Sequence, residues 1–273
     1  LKKMKSSRVL FVSTEITPYL PENDISILCR YLPQGVQEQG KEIRTFMPRF
    51  GSINERRNQL HEVIRLSGMN LIINDTDHPL IIKVASIPAA RMQVYFIDNE
   101  DYFHRKQTLK DEDGKFFDDN DERAIFYARG VLETVRKLRW SPDVIHCQGW
   151  FTCLVPLYVK KLFKEDPLFA NTKVVFTVYN DEFPTPLDPN FKKKVILEGI
   201  KNKDVEQLTD PTYVNLIKFA YKYSDGMIIG SSAINGEVAE FLKACDKPVL
   251  EYQGMENYVE AYTDFYDQIF DNA

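Results

Sequence analysis

Polar residues gather at the ends of three short apolar runs, and their types decide which chemistry is open to the chain. The first run, residues 9–13, leads through Thr14, Glu15, Pro18 and Pro21 to Glu22, Asn23 and Asp24, where a segment of helical period begins. A strand feeding a helix through such a turn is where an open α/β sheet binds ligands, because strand end and helix N-terminus converge there. Phosphate would need glycines for close backbone approach, yet neither G-x-G-x-x-G nor G-x-x-x-x-G-K-[ST] occurs, and glycine supplies only 12 of 273 residues. Glu22, Asn23 and Asp24 carry the groups that cap and neutralise a helix terminus, so the turn is expected to close on itself.

The second run ends Asp143-Val-Ile-His146-Cys147-Gln148-Gly149-Trp150. Adjacent strand residues face opposite sides, so His146 and Cys147 make no joint metal site, and Cys153 completes no zinc spacing. His146 is expected as a hydrogen-bonded core histidine. Gln148 and Trp150 fall at the strand's carboxyl end, where Trp150 either stacks on a sugar face or fills a half-buried packing position. The third run, 174–178, ends in Tyr179, Asn180 and Asp181, groups suited to sugar hydroxyls or to an Asx-type turn. Acidic residues between Asp111 and Glu122 suggest calcium. With Gly114 as the loop glycine, however, Leu109 and Asn120 fall on the first and last ligand positions, so a solvated loop and an acid-rich helix start are expected instead. Spacing reveals no Ser-His-Asp, Cys-His or paired-carboxylate set, and the expectation is no catalytic residue, no metal and no cofactor.

Positioning these groups falls to short β-branched runs alternating with helical stretches, the pattern of crossover helices over a mostly parallel sheet. Strands are expected at 9–13, 43–47, 94–98, 144–147, 174–179 and 227–230, most of them continuously apolar as burial on both faces requires. Runs at 63–66, 71–73 and 80–85, around Asn74, Asp75, Asp77 and Pro79, read as an antiparallel hairpin excursion beside that sheet. Helices are expected at 121–138, 204–223 and 256–269, the last with Tyr258, Tyr262, Phe265, Tyr266 and Ile269 at steps of three and four. The fold class is therefore α/β: a Rossmann-like, doubly wound, mostly parallel sheet with a hairpin excursion. Without repeats or linkers, residues 1–273 read as one domain; residues 1–3 stand ahead of Met4 and leave two starts open.

Charge and composition narrow the setting. With 35 Lys+Arg against 40 Asp+Glu the net charge is −5 and no basic stripe stands out, which disfavours nucleic acid. No apolar run approaches the roughly 20 residues of a membrane helix, and the run behind the first lysines is too short for a signal peptide. Cys29, Cys147, Cys153 and Cys245 suit free thiols of a reducing compartment, so a soluble, cytoplasmic protein is expected.

The residues also resemble a family, the bacterial glycogen and plant starch synthases, in the N-terminal half of their catalytic domain. Val9-Leu-Phe-Val-Ser-Thr-Glu15-Ile-Thr-Pro18, Leu32-Pro33, Pro48-Arg49-Phe50-Gly51, Tyr95-Phe-Ile-Asp-Asn99, Asp119-Asn-Asp-Glu-Arg123, Asp143-Val-Ile-His146 and Val175-Phe-Thr177 carry the likeness over roughly 9–235. The resemblance implies one half of a two-domain glycosyltransferase fold, with residues 255–270 as a C-terminal helix bracing the first half. It implies transfer of glucose from a nucleotide sugar to an α-1,4-glucan. Its donor-phosphate motif K-T-G-G-L falls on Pro21, Glu22, Asn23, Asp24 and Ile25, its H-D-W on Gln148-Gly149-Trp150, and the histidine of its T-[VI]-H-N on Tyr179, with Asn180 retained. The expectation is a degenerate member, a pseudoenzyme keeping a cleft for an α-glucan or a protein partner, with Gln148, Trp150, Tyr179, Asn180 and Asp181 as its glucan contacts. Two alternatives stand beside it: an active half completed by a separate donor-binding chain, and a purely structural subunit.

Overall fold

The computed structural model describes residues 5–272; residues 1–3 lie outside it. Among the described residues there are ten strands: β1 (Arg8–Val12), β2 (Glu42–Pro48), β3 (His61–Glu62), β4 (Met69–Ile73), β5 (Thr76–Ile87), β6 (Met92–Asp98), β7 (Val144–Gln148), β8 (Lys173–Val178), β9 (Gly226–Ile229) and β10 (Val249–Leu250). The α-helices are α1 (Asp24–Glu38), α2 (Glu100–Phe103), α3 (Asn120–Leu138), α4 (Val155–Leu157, running on as a π turn through Leu162), α5 (Phe191–Val195), α6 (Tyr213–Tyr223), α7 (Gly236–Lys243) and α8 (Val259–Asp271).

The sheet order is β10-β9-β8-β7-β1-β2-β6-β5-β3, with β4 paired to β5 off this path. From β10 to β6 every pairing is parallel. The chain leaves β1 toward β2 and β6 on one side and returns to β7, β8, β9 and β10 on the other. The β1/β7 boundary is therefore the switch point, beyond whose carboxyl ends a crevice opens. Residues 9–12 of β1 and all of β7 are buried, which explains the unbroken apolar run of β1 and the bonded state of the two polar side chains of β7, His146 and Gln148.

Three expectations need correction. The excursion does not stand beside the sheet: β4 and β5 form a hairpin through Asn74 and Asp75, both at positive φ, and β5 then pairs antiparallel with β6 from Ile81 to Ile87. Residues 63–66 are no strand. The Ser67 hydroxyl donates to the Val63 carbonyl (3.1 Å) and accepts from the Ile82 amide (3.0 Å), curling Ile64–Leu66 into a helical turn that buries Leu66 and leaves Ile64 exposed. The expected helix over 204–223 is broken at Pro211, which lacks an N–H and holds Asp210 extended; Thr212 then caps α6 by accepting from the Asn215 amide (3.2 Å).

The last helix begins at Val259, three residues later than its apolar spacing suggests, because Asn257 sits at φ 54°. Its aromatic stripe is buried against the sheet and α1. Tyr266 donates or accepts at His146 Nδ1 (2.6 Å), Thr263 bonds Gln39 (2.7 Å), and Asp267 accepts from Lys41 (2.7 Å) and from both the amide and hydroxyl of Ser6. His146, wholly buried, is the core histidine its context predicts.

Candidate functional site

The carboxyl ends of β1, β7 and β8 open into a cleft of about 670 Å³. β1 contributes Thr14 and Glu15, β7 contributes Gln148 to Phe151, β8 contributes Tyr179, Asp181 and Glu182, and the N-terminus of α1 contributes Pro21, Asn23 and Ile25. The cleft thus brings together Gln148, Trp150, Tyr179 and Asp181 with the Pro21-to-Asp24 turn. Asn180 stays outside it: its amide donates to Ser231 Oγ (3.1 Å), whose hydroxyl bonds back to Asn180 Oδ1 (3.2 Å).

At the α1 corner the turn closes on itself. Asn23 Oδ1 accepts from the Ser26 amide (2.9 Å) while Ser26 Oγ accepts from the Asn23 amide (2.9 Å), a reciprocal capping box. The same Asn23 donates through Nδ2 to Glu15 Oε1 (2.6 Å). One side chain therefore caps the helix and anchors a carboxylate in front of it. Burial pushes the Glu15 carboxyl above its ordinary pKa; the Asn23 bond opposes this and the nearby Asp181 charge adds to it.

The floor is a neutral network. The Tyr179 hydroxyl donates to Gln148 Oε1 (2.8 Å), Cys29 Sγ lies 3.2 Å from the same oxygen, and Gln148 Nε2 donates to Ser13 Oγ (2.9 Å). Tyr127 completes it by donating to the Ser13 carbonyl. Gln148 and Tyr179 are 1% exposed, so both are committed to each other. Burial raises the Cys29 thiol to about 12, leaving it without thiolate character at neutral pH.

Trp150 is 2% exposed. Phe183 meets it edge to face at 4.7 Å, Phe151 at 5.4 Å, and Phe116 tilts across it at 5.9 Å, so the indole is packed within an aromatic cluster rather than laid open to a sugar ring. Asp181 accepts from the Trp150 amide (3.0 Å) and the Tyr213 hydroxyl (2.9 Å), fixing the β7 and β8 ends together; burial raises its pKa against those bonds.

The remaining wall was not visible in the motifs. Lys106, Gln107, Thr108, Leu109 and Lys110 line the cleft from the segment after α2, and Phe116 caps Trp150 from the same segment. Buried Arg123 holds this wall by donating to the carbonyls of Tyr102 and Thr108 (2.7 Å each) and to Asn120 Oδ1 (2.7 Å); Asn120 in turn bonds the Leu109 carbonyl (2.9 Å). Phe50, Phe103 and Phe117 surround its guanidinium, and burial lowers its pKa to about 9. The acidic stretch forms a tight tip: Asp111 Oδ1 accepts from the Asp113 and Lys115 amides, and Lys110 bridges Phe116. Position alone, after a strand's carboxyl end, was the available signal for Glu15 and Glu182; the Lys106-to-Lys110 wall carries no periodic signal.

The family model for the starch synthase catalytic domain matches residues 8–248. The chain belongs to the glycogen and starch synthase family. Glycogen synthase of Chlorobium limicola is 37% identical over 177 residues, covering 64% of this chain and 36% of its own length. Glycogen synthase of Chlorobaculum tepidum is 33% identical over 242 residues, covering 82% and 50%. The chain therefore spans about a third to a half of the curated synthases it matches. The catalytic domain of starch synthase IV from Arabidopsis thaliana, solved bound to ADP and acarbose, superposes with a TM-score of 0.73 at 18% identity, over 91% of this chain and 51% of that one. That likeness establishes the synthase fold. Among the described residues no helix is long and apolar enough to cross a membrane, and no group of three or more His, Cys, Asp or Glu side chains is placed to hold a metal ion.

Proposed function

We propose that this synthase-family chain has no glucosyl transfer of its own and presents its cleft to an α-glucan. The observation that carries the reading is the self-capped N-terminus of α1. The starch synthase of Arabidopsis binds ADP. A diphosphate brought to this corner would meet Pro21 where the family motif has lysine, Asn23 already bonded to Ser26 and Glu15, and the carboxylate of Glu15, with exposed Glu22 and Asp24 adjoining in the same turn. Each charge-assisted bond forgone costs about 1.5–3 kcal/mol, and the carboxylates add repulsion. The Tyr179–Gln148 bond supports the same reading, since both positions depart from family motif histidines and now satisfy one another.

What the cleft offers instead is a mixed wall of hydroxyls, amides and offsetting charges: Thr14, Ser52, Gln107, Thr108, Lys106 and Lys110 facing Glu15 and Glu182. Such a surface suits a neutral polyhydroxyl chain. The unit so proposed is residues 1–273 with 255–270 as its bracing helix, in a cytoplasmic setting supported by four free cysteines, three of them buried.

Labelled glucose transfer from ADP-glucose and UDP-glucose, measured on the chain alone and with cell extract, tests the proposal. No product and a calorimetric dissociation constant for either donor in the millimolar range or weaker are expected. A micromolar constant, or labelled glucan made by the chain alone, overturns it; product only with extract assigns the chain to an enzyme completed by another polypeptide.

A further inference from the structure

Beyond Glu182 lies a second depression of about 500 Å³, floored by Phe183 and Tyr213 and bordered by Pro184, Pro186, Val214 and Asn235. We propose that it is a further sugar subsite, continuous with the cleft, so that the chain binds an α-glucan as an extended segment rather than by one end. This rests on the glucan reading of the cleft.

Continuity is the first argument. Glu182 lines both depressions. Its neighbour Asp181 is bonded to the Trp150 amide and the Tyr213 hydroxyl, and exposed Glu182 is the lining residue that the two hollows share. That side chain is held in place: Asn235 Nδ2 donates to Glu182 Oε2 (2.5 Å), while Asn235 Oδ1 caps α7 by accepting from the Val238 amide (3.1 Å). A ligand crossing from one hollow to the other passes a carboxylate already oriented to accept from sugar hydroxyls.

Rigidity is the second. Tyr213 donates to Asp181 Oδ1 and lies 3.0 Å from the Tyr179 carbonyl, with its ring edge-on to Phe183 at 5.7 Å. The floor of the second hollow is therefore built from the same bonds that fix the first, and both are preformed.

Lining chemistry is the third. Proline rings and Val214 offer apolar faces, the hydroxyls of Thr185 and Thr212 and the Asn235 amide offer polar edges, and Glu182 is the one charged residue. A pyranose has the matching division between its C–H face and its hydroxyl rim. A phosphate or an acidic peptide finds no cation there.

Maltotriose and maltoheptaose, titrated by calorimetry onto the full chain and onto Val214→Arg and Thr185→Arg, decide the matter. Thr185 is exposed, so that variant keeps the fold if Val214→Arg does not. The expected result is maltoheptaose bound roughly tenfold tighter than maltotriose by the native chain, with the tenfold gain lost and maltotriose affinity kept in the variants. Equal affinity for the two sugars, or a gain that survives both substitutions, overturns the second subsite and leaves the cleft reading standing. Absence of binding by either sugar overturns both.

Discussion

Gly149 holds φ 86° and ψ 165°, a backbone region open essentially to glycine, and a Cβ there would lie 2.7 Å from Asp181 Oδ2. The β7 end thus holds a conformation that a side chain cannot easily share, and the space a Cβ would take is filled by the Asp181 carboxylate, bonded to the Trp150 amide and the Tyr213 hydroxyl. Gly149→Ala should therefore cost about 2–4 kcal/mol, from backbone strain and displacement of a buried carboxylate, read as a lower urea midpoint at unchanged slope. Gly149→Asp should cost more, because it sets a second carboxylate against Asp181, and should gain no transfer activity. A stable Gly149→Asp chain that incorporates labelled glucose would contradict both the strain argument and the degenerate-site reading.

Between elements, the junction of β7, β8 and α8 rests on a neutral imidazole. His146 Nδ1 stands 2.6 Å from the Tyr266 hydroxyl and Nε2 2.5 Å from Thr177 Oγ1, so one hydroxyl donates to the ring and the other accepts from it. Burial depresses its pKa from 6.5 to about 3. As pH falls through 6.5 the unfolded chain takes up a proton that the folded chain refuses, so the stability present at neutral pH is lost progressively toward pH 3. The slope is up to about 1.4 kcal/mol per pH unit. His146→Asn keeps a polar group there but does not titrate. Urea unfolding from pH 7 to 4.5 should show the native chain losing stability faster than the variant by that slope; parallel profiles would mean that His146 is not held neutral in the folded state.

For the molecule as a whole, legibility in the sequence follows how local the cause is. The strands at 9–13, 144–147 and 174–179 were readable because burial on both faces keeps them mostly apolar, their internal polar groups His146 and Thr177 being bonded to each other, and the cleft followed because ligands meet an open α/β sheet at its switch point. The break at Pro211 had a local signal that the longer helical period outweighed. β3 and β10 are two residues each and carry no period, while the wall at Lys106 to Lys110 depends on Arg123, fifteen residues from the Thr108 carbonyl it holds. The bond between Tyr179 and Gln148 spans two strands, and the types alone do not announce it. The aromatic stripe of α8 was the opposite case, legible in spacing and decisive in packing. Tyr258, Tyr262, Phe265, Tyr266 and Ile269 are each at most 7% exposed. Five such side chains at about 1.5–3 kcal/mol each match the 5–15 kcal/mol by which a domain of this kind is stable at all. Gly226 reinforces the dependence, since a Cβ there would lie 2.7 Å from the Ile269 side chain: β9 and α8 are fitted to each other. A chain ending at Glu251 should then keep helical and strand signal in far-ultraviolet circular dichroism but lose near-ultraviolet tyrosine signal and melt without a cooperative transition. A truncated chain that unfolds cooperatively within about 1 kcal/mol of the full one would show instead that α8 is an appendage, and that the sheet with α1 to α7 folds by itself.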